Sequence, residues 1–338
     1  MLLNAVIPFA FAGLAAARVQ FIGVSISDDA ECAAGTCPPS GEAQMEHFTK
    51  DNMMNLFRLS ISPQSLNNTP NSPSNRLIQS CLSTGASCLL TLTSPSPNTT
   101  AVDPTLWTQL ATTYSTTPNI LFELPSSPSP STLQSLITAI RTAGATQQPI
   151  LLPSQSPPTP LLALTNPGGS TSNLHLALHS VLDADCTTNN TAALSEVASV
   201  LREAGRKAFI TETGAAPGNP LCLVRFCEQN KFVNDNPDVF MGLVSWGGAG
   251  SGVKTDSDGL LSQAPLWEGG RLVDQPLMAQ CVVGTWIGST VGVTKLLQIG
   301  EPEETGVVTD GPRSSTGRLS APGWTLSAVF CLGISALF

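Results

Sequence analysis

Charge, histidine and tyrosine are all scarce in this chain. Only 12% of its 338 residues are charged, and the balance is acidic, 24 against 15, for a net charge of −9 and a pI near 4.7. A surface of that sign repels phosphate, which argues against nucleic acid as a partner. Three histidines, and nine cysteines without a Cys-x2-Cys pair, leave no donor set for a structural zinc site. Neither a metal nor an organic cofactor is expected. Aromatic residues make up 5% of the chain, with one tyrosine.

The first apolar run, Ala5 to Leu14, holds about ten residues, too few to cross the roughly 30 Å hydrocarbon core of a bilayer. It is followed by Ala15-Ala16-Ala17, the small-residue pattern that a signal peptidase cleaves, so residues 1–17 read as a signal peptide and the chain as secreted. At the other end, Trp324 to Phe338 is an uncharged, mostly apolar tail. A short spacer separates it from the small residues Ser314-Ser315-Thr316-Gly317. Small site, spacer and terminal apolar tail together form the signal for a GPI anchor, with attachment expected near Ser314.

Nine cysteines in a secreted chain read as disulfides plus one left over. The odd one, Cys331, lies in the tail that anchor attachment removes, so the mature count becomes even. Asn67, Asn98 and Asn189 each open an Asn-x-Thr sequon and mark exposed loops that can carry glycans.

Between the two end signals, short apolar runs recur at Gln20–Ser25, Leu56–Ile61, Cys88–Leu92, Ile120–Leu124, Ile150–Leu152, Leu174–Leu178, Ala208–Thr211 and Phe240–Ser245. They alternate with helical segments, as βα units do. Asp103-Pro104 is an N-cap with proline at the first helical position, opening Thr105–Thr113. In Ser131–Ala143, Leu133, Leu136, Ile137 and Ile140 fall on one face and Gly144 closes the helix; Thr191–Arg206 repeats the pattern. Eight strands in about 265 residues predict a single α/β domain, a (β/α)8 barrel, over 18–282. Residues 283–323 then read as a stalk and 324–338 as the anchor signal, although Trp286-Ile287 is too apolar for pure linker.

Two segments carry chemistry. Ala208-Phe209-Ile210 ends in Thr211-Glu212-Thr213-Gly214, and Ile120-Leu121-Phe122 continues into Glu123-Leu124-Pro125-Ser126-Ser127-Pro128. With Phe57-Arg58-Leu59, Gln44-Met45-Glu46-His47-Phe48, Cys186-Thr187-Thr188-Asn189-Asn190 and Val273-Asp274-Gln275-Pro276, these resemble glycoside hydrolase family 5, specifically the fungal secreted endo-β-1,4-glucanases. The motifs follow the family's order along roughly residues 19–282.

The resemblance implies a barrel whose strand ends carry a nucleophile, Glu212, and a general acid/base. The acid/base position aligns with Ser127, with Ser126 on the substrate-binding Asn and Pro128 on the family's Pro. A serine hydroxyl near neutral pH cannot supply the proton this role needs. Glu123 would replace it only if the chain after Phe122 slid. In the ungapped reading it lies roughly 13 Å of strand below the rim, where pairing with a base such as Arg58 would explain its burial. The family's His-Asn segment reads Thr93-Ser94-Pro95 here, and its His-x-Tyr reads His179-Ser180-Val181. Arg58, which in the family steadies the nucleophile, His179 and Trp246 remain as candidate substrate-binding residues.

By proximity and by the resemblance, the expected bridges are Cys32–Cys37, Cys81–Cys88, Cys186–Cys222 and Cys227–Cys281. The expectation is a GPI-anchored, monomeric cell-surface or cell-wall protein that binds β-glucan or another wall polysaccharide weakly and has lost efficient hydrolysis. The alternative is a working β-glucanase with Glu212 as its nucleophile. The scarcity of aromatic platforms favours the first.

Overall fold

The computed structural model describes residues 18–27, 41–66, 72–93, 102–126, 129–154, 158–246 and 265–287. The leader 1–17, the Cys32–Cys37 bridge, Asn67, Asn98, Ser127, Ser314 and the tail with Cys331 lie outside the described residues.

Eight strands close on themselves in chain order: β1 (Phe21–Ser27), β2 (Leu56–Ile61), β3 (Ser87–Leu92), β4 (Ile120–Glu123), β5 (Ile150–Ser154), β6 (Leu174–Val181), β7 (Ala208–Gly214) and β8 (Phe240–Trp246). Every neighbouring pair is parallel, β1 with β8 included. Around them lie α1 (Gly41–Lys50), α2 (Pro73–Ser83), α3 (Pro104–Tyr114), α4 (Pro130–Thr142), α5 (Thr191–Glu203) and α6 (Pro220–Asn234). This is the (β/α)8 barrel that the spacing of apolar runs predicts.

The same local chemistry starts four of the helices. Ser72-Pro73, Asp103-Pro104, Ser129-Pro130 and Asn219-Pro220 each place a side-chain acceptor at the N-cap and a proline at the first turn. The cap oxygen accepts an otherwise unpaired N–H, and proline gives up no bond there because its N–H would have been orphaned. The alternation fails once. Between β5 and β6 the described chain forms only a single 3-10 turn, Thr159–Leu161. Prolines at 153, 157, 158, 160 and 167 and the Gly168-Gly169 pair explain why: that density removes donors and frees the backbone where a helix would have to propagate.

Three of the expected disulfides are present. Cys81–Cys88 ties α2 to β3, Cys186–Cys222 ties the loop after β6 to α6, and Cys227–Cys281 ties α6 to the π-helical turn Leu277–Val283. That turn and the short α7 (Gly284–Ile287) continue the domain past 282. Trp286 packs on the core, its indole N–H donating to the Val19 carbonyl at 3.2 Å, whereas Ile287 beside it is exposed. Among the described residues, no helix is long and apolar enough to cross a membrane.

Inside the barrel, Leu56, Leu89, Leu121, Leu151, Ala177, Phe209 and Val244 form one apolar plug. Gly242 makes room for it, because a Cβ there would stand 2.7 Å from Phe209 Cδ1. Side chains alternate along a strand, so the residues two further on from Leu56, Leu89, Leu121, Ala177 and Phe209 share the next interior layer towards the carboxyl ends. Those residues are Arg58, Thr91, Glu123, His179 and Thr211. The plug is therefore the floor on which the polar layer stands.

Candidate active site

Arg58 is buried at the centre of this layer, only 8% exposed. Its Nε donates to Glu123 Oε2 at 2.5 Å and its Nη2 to Glu123 Oε1 at 3.3 Å. The same Nη2 lies 2.8 Å from Glu212 Oε1. One guanidinium thus holds two carboxylates, the planar fork suiting both. His179 spans the same pair from the other side, with Nε2 3.5 Å from Glu123 Oε1 and Nδ1 3.6 Å from Glu212 Oε2.

The two carboxylates differ in setting. Glu123 is 2% exposed and accepts a further hydrogen bond from the Thr211 hydroxyl at 2.8 Å. Burial alone would raise its pKa, but the charge and hydrogen bonds of Arg58 and His179 outweigh that and pull it down to about 2. Arg58 answers in kind: burial opposes its charge, and the two carboxylates raise its pKa above the ordinary value. The Glu212 side chain is 21% exposed and His179's is 37% exposed, so these two face the open end of the barrel.

A backbone irregularity makes the arrangement possible. In a regular strand Thr211 and Glu212 would point to opposite faces, yet Thr211 reaches Glu123 and Glu212 reaches Arg58. The pairing of β7 with β6 shifts between Leu178 and His179, so that Ile210 opposes Leu178 while Glu212 opposes His179. Thr211 is the extra residue of a β-bulge, and the bulge turns both neighbours inward.

Behind the bulge a buried network holds the register. Gln229 of α6 donates to the Thr213 hydroxyl at 2.8 Å and to the Ser180 carbonyl at 3.0 Å, and the Ser180 hydroxyl donates to Gln229 Oε1 at 3.0 Å. The Thr213 hydroxyl donates to the same Ser180 carbonyl at 2.8 Å.

Of the residues singled out from sequence, Arg58, His179 and Glu212 come together. Trp246 ends β8 on the same rim, partly exposed and paired in register with Ser25. Ser126 is exposed just after β4. Glu123 pairs with Arg58, but it is the last residue of β4 and shares Arg58 and His179 with Glu212, so it stands in the same layer as Glu212 and not deep below the rim. Nothing in the sequence marks Thr211, Ser180 and Gln229 for these contacts beyond a polar residue on what proves the buried face of α6. The Asn189 amide, read as a glycan acceptor, donates to Glu228 Oε2 at 2.7 Å. Among the described residues no His, Cys, Asp and Glu cluster is arranged to hold a metal.

An eight-stranded parallel barrel that gathers carboxylates at the carboxyl ends of its strands has the architecture on which barrel glycosidases are built. The comparisons narrow this. The cellulase (glycosyl hydrolase family 5) pattern matches residues 14–249, and the chain belongs to that family. It is 34% identical to endoglucanase EG-II of Hypocrea jecorina, over 78% of this chain and 77% of that protein. It is 33% identical to endoglucanase 1 of Saitozyma flava, over 58% of this chain and 70% of that one. The crystal structure of Cel5A (EG2) from Hypocrea jecorina (Trichoderma reesei) superposes with a TM-score of 0.64 at 31% identity, covering 78% of this chain and 98% of that one.

Glu123 ties acid stability to this site. Its pKa is depressed in the folded state, so its contribution is present above the unfolded value of about 4.5 and is lost as pH falls towards about 2. Glu123→Gln should cost about 3–5 kcal/mol at neutral pH, the usual penalty for breaking a buried pair from one side. It should also flatten the loss of stability between those two pH values. Thermal unfolding of both proteins across the range checks this; an unchanged acid limb in the variant would refute the pairing.

Proposed function

We propose that this protein is a cell-surface member of the cellulase family that engages β-glucan weakly and has lost efficient hydrolysis of unactivated glycosidic bonds. The carrying observation is the state of the second carboxylate. Double displacement needs two carboxyl groups about 5–5.5 Å apart, one attacking the anomeric carbon and one, protonated, delivering its proton to the leaving oxygen. Glu123 is the second carboxylate at the site, and it is buried, hydrogen-bonded on both oxygens and ionised down to about pH 2. A group so held has no proton to give. Ser127, at the family's acid/base position, has none either in the range where the step runs.

In this reading Glu212 is a surviving nucleophile oriented by Arg58, His179 borders the sugar site, and Trp246 offers it an apolar face. The leader and tail support export and attachment through a GPI anchor near Ser314, with a monomer held at the membrane or wall and no cofactor. The second reading is an active endo-β-1,4-glucanase. It draws on a separate observation: Glu212 is still gripped at 2.8 Å by Arg58, and the relatives named above are endoglucanases.

Hydrolysis tells the two apart. General acid assistance is worth about 10²–10⁴-fold, so purified protein should turn over unactivated β-1,4-glucan at or near background. An aryl β-cellobioside with a good leaving group needs little protonation and should trap a glycosyl-enzyme, seen by mass spectrometry and absent in Glu212→Gln. Robust turnover of cellulose, abolished by Glu212→Gln, would hand the case to the second reading. For the anchor, a GPI-cleaving phospholipase should release the full-length protein from membranes, and retention after that treatment would sink the assignment.

A further inference from the structure

The outer wall of the barrel carries a groove remote from the carboxylate pair. It has a volume of about 620 Å³ and runs between α2 and α3, from Leu66 beyond the carboxyl end of β2 to Thr117 just before β4. That size falls within the roughly 300–1,000 Å³ of small-molecule sites. The helix pair is open because α3 packs closely on α4 and leaves α2 apart.

The lining has a consistent chemistry. Leu66, Leu82, Leu106 and Leu110 supply apolar surface, and Asn75, Gln79, Gln109, Thr113 and Thr117 supply amides and hydroxyls. No charged side chain lines it. Charge is thin throughout this part of the sequence: between Arg76 and Arg141 the only charged residues are Asp103 and the buried Glu123.

Within the groove lies the one tyrosine of the chain. Tyr114 is 7% exposed, lines the groove, and its hydroxyl has no hydrogen-bond partner among the described residues. Its ring is largely buried while the hydroxyl is not among the fully buried polar atoms that lack a partner, so the oxygen stands open to a hydrogen bond from a bound molecule. An unpaired hydroxyl facing a neutral, amide-rimmed, Leu-floored channel calls for a ligand that is itself uncharged, carries hydroxyls at its edges and presents C–H surface at its faces. A phosphate or a charged peptide would be desolvated there without a counter-charge, and a purely apolar acyl chain would leave the amides and the phenol unpaired.

We propose that the groove between α2 and α3 is a second carbohydrate site, which binds a neutral β-linked glucan chain along the outside of the barrel. The phenol and the glutamines bond sugar hydroxyls, and the leucines cover the pyranose faces. The choice of glucan among neutral glycans rests on the reading given under Proposed function; the neutral, hydroxyl-rich class rests on the groove alone.

Affinity electrophoresis of the purified protein in gels containing hydroxyethyl cellulose, soluble β-1,3-glucan or mannan tests it. Wild type should be retarded by a glucan. The exposed pair Gln79→Ala/Gln109→Ala should weaken retention by about tenfold, equivalent to a hydrogen bond or two. Tyr114→Phe, which removes one oxygen and keeps the packing, should weaken it by a smaller factor. Equal retention of the groove variants and wild type, loss in Glu212→Gln alone, or no retention of wild type by any of the three polymers would each overturn the site. Retention by mannan and not by the glucans, lost in the groove variants, would keep the site and overturn its assignment to glucan. The aryl-glycoside trapping on Glu212 is unaffected by any of these outcomes.

Discussion

A buried guanidinium that must be neutralised organises the functional end of this barrel. Removing Arg58 from water is costly unless oppositely charged, hydrogen-bonded partners surround it. Glu123 meets most of that cost through two contacts to the fork, and Glu212 accepts from what remains. Satisfying Arg58 therefore fixes Glu123 as an anion and sets the position of Glu212 in the same act. In the proposed reading this has a chemical consequence, since a carboxylate used as a permanent counter-ion is withdrawn from proton transfer.

The scaffold serves that pairing. The apolar plug of Leu56, Leu89, Leu121, Leu151, Ala177, Phe209 and Val244 seals the layer below from water, which strengthens every interaction above it. The bulge at Thr211 brings two consecutive residues inward, so that Glu123 gains a hydroxyl donor and Arg58 gains its second carboxylate. Gln229 secures the bulge from outside by saturating Ser180 and Thr213. The site is thus rigid from floor to rim on its β6–β7 side, with Glu212 and His179 as its partly open members.

Much of this is legible in the chain because it is local. Apolar runs of strand length, Ser-Pro, Asp-Pro and Asn-Pro starts, and the motif around Glu212 each report their own neighbourhood, and the strands and helices follow them. The pairing of Glu123 with Arg58 was available as an explanation for a lone acid in an apolar run. The bulge was not, because the letters of Thr211-Glu212-Thr213 are those of an ordinary alternating strand and the irregularity exists only relative to β6. The Gln229 network is hidden for a similar reason: an amide in a helix reads as solvent-facing until its neighbours Phe226 and Val233 are found on the same buried side. The missing helix after β5 follows from proline density, a signal outweighed by the regularity expected of eight βα units.

The chemistry open to this barrel depends on whether Glu123 is a fixed anion or a proton donor. The direct measurement is the carboxyl-carbon NMR titration of protein labelled at its glutamate side chains, with the Glu123 resonance assigned by its absence in Glu123→Gln. A Glu123 signal that stays ionised as the pH is lowered, with a midpoint near 2 or loss of the fold before one is reached, is what the geometry predicts. A midpoint near 6, the value a glycosidase's general acid carries, would contradict it and restore a working acid to the site.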